Sequence, residues 1–117
     1  MQRLNVNMIA LILPFIMGVV LSPGVQAKDA KAGDIPALMK EKRCVLCHSE
    51  TGRLVGPPYK MIAHMYKDRD HDKAMDKLVK KILKGGMGTW GAIPMPASDN
   101  VNEEQARAMA RWILNLK

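Results

Sequence analysis

Cysteine is nearly absent: the 117 residues hold two, Cys44 and Cys47. So sparse a supply excludes a disulfide-dense scaffold and a four-thiolate zinc site. Aromatic side chains are equally scarce, at 4% of the chain. The single phenylalanine, Phe15, sits in the N-terminal apolar stretch, so the rest of the chain has Tyr59, Tyr66, Trp90 and Trp112. No apolar run reaches the ~20 residues that a comfortable membrane span needs. The longest, Met8 to Leu21, is interrupted by Pro14 and Gly18. Strand-like alternation of usable length is missing too, which removes the βαβ setting that a thioredoxin-like cysteine pair would require.

Acidic residues are absent from the first 27 positions, and there the only basic residue is Arg3. Arg3, the apolar Met8–Leu21 core, the Ser22-Pro23 break and the small residues of Val25-Gln26-Ala27 together read as a secretory signal. Cleavage is expected between Ala27 and Lys28, giving a leader over 1–27 and one domain over 28–117. An uncleaved anchor is the weaker alternative, so no retained membrane anchor is expected. Removing 27 residues from 117 leaves 90, too few to bury a generous core unaided. The net charge falls only from +7 to +6, because one basic residue and no acidic residue leaves with the leader. Such a charge suits an acidic protein partner, an anionic membrane or a nucleic acid. Export argues against nucleic acid, and a purely solubilising lysine surface is the bland alternative.

What the chain does have is Cys44-Val45-Leu46-Cys47-His48. Two thiols three residues apart reach two vinyl groups on one porphyrin edge and form thioethers, and the adjacent imidazole comes under the iron. A disulfide or redox pair would leave His48 unexplained. A covalent haem would also supply the flat apolar body that a chain poor in aromatics needs for its core.

Asp34 is placed to cap a helix with Pro36 in its first turn, running into Cys44. Gly56-Pro57-Pro58 stops any helix after His48, and prolines leave carbonyls without competing N–H groups. The Pro57 carbonyl is the expected acceptor for the second ring nitrogen of His48. Tyr59 to Tyr66 reads as a helical patch, and Lys67 to Lys73 as an exposed charged loop with local ion pairs. Ala74 to Lys84 is the clearest amphipathic helix, ended by Gly85-Gly86, with its lysines facing away from the apolar columns. Asn102 to Gln105 forms a capping box for a C-terminal helix with Ala106, Met109, Ala110 and Ile113 on one face.

The iron's other side decides the chemistry. Methionines on helix faces are ordinarily core, which sets aside Met39, Met61, Met65, Met75 and Met109. Met87 and Met95 remain, both in the glycine-rich loop 85–96. Met95, between Pro94 and Pro96, is restrained before any metal arrives, whereas Met87 has glycine on either side. Met95 is therefore favoured, with Met87, His64, His71 or an open site as alternatives. A thioether raises the potential and fills the sixth position, which points to electron transfer rather than catalysis.

Cys44 to His48, Val55-Gly56-Pro57-Pro58-Tyr59 and Gly88-Thr89-Trp90-Gly91-Ala92-Ile93-Pro94-Met95-Pro96 together resemble the small bacterial class I cytochromes of the c-551/c-552 type. The resemblance implies an all-α fold of about four helices wrapped around one haem c. It implies His48 and Met95 as axial ligands, with the Pro57 carbonyl behind the histidine. It further implies that Trp90 donates to a haem propionate and that Lys81 pairs with one. An asparagine often orients the ligand methionine in this family, whereas here Ser98, Asp99 and Asn100 follow, and the sequence does not choose among them. The expected function is a monomeric periplasmic carrier of single electrons between acidic redox partners, not an enzyme. The alternative is a haem subunit or enzyme domain acting on peroxide or nitrogen oxides through a displaceable methionine. The purified protein should give a pyridine haemochrome of the two-thioether class, and a spectrum of the single-thioether or unattached class would overturn the reading of Cys44 and Cys47.

Overall fold

Asp34 opens the first helix as its chemistry requires, in a computed structural model that describes residues 34–117. The expected leader and Lys28 to Gly33 lie outside those residues. The Asp34 carboxylate accepts from the Ala37 N–H at 3.0 Å and Pro36 sits in the first turn of α1, Ile35–Glu41. This helix does not run into Cys44 as the sequence suggested. It is closed at Lys42, whose N–H reaches the Leu38 carbonyl, and Arg43 then takes a left-handed φ of 64°. That conformation costs a bulky residue roughly 1–2 kcal/mol, and neither glycine nor proline marks the break. The gain is tertiary: the turn lays Cys44 against the core.

A 3₁₀ turn, Cys44–Leu46, follows. The next helix, α2, is Tyr59–Tyr66 and has no side-chain cap, because its N-cap residue is Pro58. Its first N–H groups are satisfied from the preceding loop instead. Tyr59 donates to the Ser49 carbonyl at 2.9 Å and Lys60 to the Glu50 carbonyl at 3.0 Å. Orphan donors at a helix start need such partners, so α2 and the loop after His48 form one unit.

The charged run after α2 is not all loop. Asp70 accepts from the Lys73 N–H at 2.9 Å and starts α3, His71–Lys84, inside that run. Within the run the local pairs are thin: His71 and Asp72 stand 3.9 Å apart, while Arg69 lies over the Tyr66 ring at 5.6 Å. Ala74, Met75, Leu78, Val79 and Ile82 are buried, as the apolar columns require. Lys81 departs from expectation, since it is half-buried rather than turned to solvent. Gly85 ends the helix at φ 68°.

The last helix, α4, is Glu103–Leu114 and begins with the expected capping box, in which Asn102 and Gln105 each accept from the other's backbone N–H. Helices α1, α2 and α3 all pack against α4. It serves as the hub because its inner face is small and apolar: Ala106 and Ala110 are 0% exposed and Met109 is 1% exposed. Alanines let neighbouring backbones approach closely, and Met109 fills the space between them. Of the other helical methionines, Met39 and Met75 are buried as expected, but Met61 is exposed and Met65 half-buried. The described residues thus form a single all-helical unit of four helices. Met109→Ala should destabilise it by about 2–5 kcal/mol, the cost of an unfilled core cavity, read as a lowered midpoint in denaturant unfolding followed by far-ultraviolet circular dichroism.

Candidate functional site

The five-residue motif is curled by its own backbone. The N–H groups of Cys47 and His48 both donate to the Cys44 carbonyl, at 3.2 and 3.0 Å. Gly56 then donates to the Cys47 carbonyl at 2.7 Å, which closes the loop and brings Pro57 under the imidazole. His48 Nδ1 lies 2.8 Å from the Pro57 oxygen, the pair of atoms that the sequence singles out. A carbonyl only accepts, so this contact puts the ring proton on Nδ1 and leaves the lone pair on Nε2 for a metal. Gly56 lies flat against the same ring: a methyl group there would stand 2.7 Å from Nδ1 and 2.9 Å from Nε2. The imidazole is also stacked on Tyr59 at 5.5 Å between centroids, and Tyr59 meets Trp112 edge-on at 5.7 Å.

Both thiols are free and half-buried. Burial pushes the Cys44 thiol up from its ordinary pKa. That is the opposite of what a redox-active nucleophile needs, since reactivity belongs to the thiolate. Tyr59 is pushed up as well, first by burial and then by the charges of the two neighbouring thiols. Its hydroxyl is buried without a hydrogen-bond partner among the described residues.

His48 faces a cavity of about 600 Å³, within the range of small-molecule and cofactor sites. Cys47, Gly56 and Pro57 from the motif segment, Ile62 and Leu78 from α2 and α3, and Trp90, Pro94, Met95 and Pro96 from the glycine-rich loop all line it. Cys44 does not line it; it packs from the core side. The Met95 side is held by backbone. Gly86 and Met95 form an antiparallel bridge with reciprocal N–H···O bonds of 2.9 Å each, and Gly85 approaches the Met95 carbonyl so closely that a side chain there would collide with it. The positive φ of Gly85 makes the substitution doubly unfavourable. The end of α3 therefore positions Met95.

Among the expected site residues, Cys47, His48, Pro57, Trp90, Lys81 and Met95 share this cavity. His64 and His71 are exposed and do not line it. Met87 does, but it stands at the rim and is 61% exposed. Lys81 Nζ folds beside Gly86, 2.8 Å from where a side chain would begin. Among the described residues no hydrogen bond links Ser98, Asp99 or Asn100 to Met95; the Ser98 carbonyl accepts from Val101 instead. The sequence reading missed Met65 and Tyr66 in the lining, because helical spacing alone gave them to the core. It also missed Arg53, whose guanidinium donates to the Trp90 carbonyl at 3.3 Å.

These residues fit the group that the motif implies. The lining is largely apolar and includes a histidine with one nitrogen tied back, a methionine thioether, and cationic Arg53, Arg69, Lys77, Lys80 and Lys81 that can receive carboxylates. The chain matches the Cytochrome c family over residues 32–117. It is 44% identical to cytochrome c-552 of Hydrogenobacter thermophilus over 80 residues, which cover 68% of this chain and 79% of that protein. With cytochrome c-551 of Pseudomonas aeruginosa the identity is 35% over 105 residues, covering 89% of this chain and 98% of the relative. The crystal structure of Nitrosomonas europaea cytochrome c552 is similar at a TM-score of 0.66 and 44% identity, covering 70% of this chain and 99% of that one. The chain belongs to the class I cytochromes c, homologous to the bacterial c-551 and c-552 electron carriers, and carries one covalently attached haem c.

Proposed function

We propose that this protein is a periplasmic carrier of single electrons, in which Cys44 and Cys47 hold the haem through thioethers and His48 and Met95 are the axial iron ligands. The observation that carries the reading is that His48 and Met95 line one cavity, each fixed by backbone contacts of its own. When bound, haem c supplies a one-electron ferric/ferrous couple. The Pro57 carbonyl and Gly56 keep the imidazole in one tautomer and one plane, so little rearrangement accompanies a change of charge. The Gly86 bridge and the flanking prolines do the same for Met95, and they make its displacement by an outside ligand unfavourable. Trp90 and Lys81, at the cavity edge, would hold the propionates, with the indole N–H as donor. No carboxylate lines the cavity among the described residues, which leaves peroxide or nitrogen-oxide chemistry without an acidic proton donor and favours the carrier over the enzyme.

The secretory reading of residues 1–27 supports the periplasm as the place of action. The cations at the cavity mouth support a partner with an acidic docking face. Because exposed charges are screened over about 8 Å at physiological salt, reduction by an acidic redox protein should slow steadily as ionic strength rises. A rate independent of salt would remove the partner assignment. In a second measurement, Met95→His should abolish the far-red thioether-to-iron band of the ferric protein and lower the potential. Should Met95→Ala keep that band, the ligand is Met87.

A further inference from the structure

Residues 86–96 form a small lobe that is closed on itself. The Gly86–Met95 bridge is its base, and Gly88 donates to the Gly91 carbonyl at 3.0 Å to close its tip. Beside Trp90 the glycines Gly88 and Gly91 have positive φ and open space where a side chain would begin, and the tip is seated by the half-buried Trp90, which packs against the core. Among the described residues, one hydrogen bond joins this lobe to the histidine side of the cavity: Arg53 Nη2 to the Trp90 carbonyl, across 37 residues of sequence.

We infer that Arg53 is a latch that holds the Met95 lobe closed over the iron's sixth position. The arrangement suits the task. Arg53 is fixed at its own end, because the loop that carries it is drawn in by a tight turn: Gly52 donates to Ser49 Oγ at 2.9 Å and that hydroxyl donates to the Gly52 carbonyl at 2.5 Å. Its planar fork reaches a backbone carbonyl that no other donor serves among the described residues. Met95 lies in the bridge itself, so a tip that moves pulls on the two bonds between Gly86 and Met95, and loosening them frees the thioether. Held by Trp90 packing and by Arg53, the tip stays in place. Arg53 is thus a positioning residue for Met95, acting through Trp90, and this rests on the assignment of Met95 as ligand.

The test uses the intact haem-loaded protein and imidazole, a neutral outside ligand whose approach is insensitive to the sign of nearby charge. Arg53→Ala should raise the affinity of the ferric protein for imidazole about five- to tenfold, the equilibrium weight of one net hydrogen bond. The far-red thioether band should fade at a lower temperature than in the parent, while global unfolding followed by far-ultraviolet circular dichroism stays near its parent midpoint. Lys67→Ala removes an exposed cation that neither lines the cavity nor bonds to the lobe, and it should leave imidazole affinity unchanged. Parent-like imidazole affinity in Arg53→Ala would overturn the latch, as would an equal rise in Lys67→Ala or a fall of the global midpoint in step with the band. Absence of the thioether band from the parent protein would instead sink the Met95 assignment, so the two failures are distinguishable.

Discussion

The contact between His48 Nδ1 and the Pro57 carbonyl is the constraint on which the rest of the site depends. It exists because proline has no N–H and because Gly56 presents no side chain to the ring. Remove either property and the imidazole would need another plane. The same short segment also serves α2, whose first N–H groups find the Ser49 and Glu50 carbonyls because Pro58 offers no cap. A ligand orientation and a helix start are thereby coupled. Tyr59, the first residue of that helix, stacks on His48 and meets Trp112 of α4, so the ring is tied to the core hub as well.

The Met95 segment is built by different means. Helix α3 stops at Gly85, and only a residue without Cβ lets the Met95 carbonyl come so close. Two reciprocal bonds to Gly86 then fix the methionine backbone without any strand to support it. His48 is therefore held by side-chain-to-backbone contact within one loop, and Met95 by backbone pairing to a helix end. Both segments line one cavity together with Ile62 and Leu78, so an apolar body held there can contribute to the core that a chain so poor in aromatics otherwise lacks.

Much of this is readable from residues alone, and the pattern of what is not has physical causes. Caps are local, so Asp34, Asn102 and Gln105 announce their helices correctly. The contact of His48 with the Pro57 carbonyl is legible for the same reason, since proline restricts its neighbours wherever it occurs, and the same restriction singles out Met95 in the sequence. The end of α1 is not legible. Arg43 adopts its left-handed turn to seat Cys44 in the core, and no local preference signals a tertiary demand of that kind. The start of α3 inside the charged run had a local signal, Asp70 with Asp72 in the first turn, which the density of charge obscured. Lys81, Met65 and Tyr66 line the cavity although their helical spacing gives them other roles, because a cavity is defined by several elements at once. Arg53 is the extreme case: its partner is 37 residues away and is a backbone atom, so no side-chain pattern records the contact.

Charge completes the argument. The net charge of +7 understates the field at the cavity, because six of the eleven acidic residues are engaged elsewhere. Asp34 and Asp70 are helix caps, Glu41 pairs with Lys42 and Glu50 with Lys60, and Asp76 and Glu103 share Arg107 between α3 and α4. As surface pairs these add little to stability. Their effect is to neutralise charge away from the cavity, whose lining keeps Arg53, Arg69, Lys77, Lys80 and Lys81 with no carboxylate among the described residues. A one-sided distribution of this kind acts over a Debye length and, on the proposed function, would orient the molecule before contact. The same cations would stabilise the reduced state of a haem held there, so the arrangement that would draw an acidic partner to this face would also favour electron acceptance.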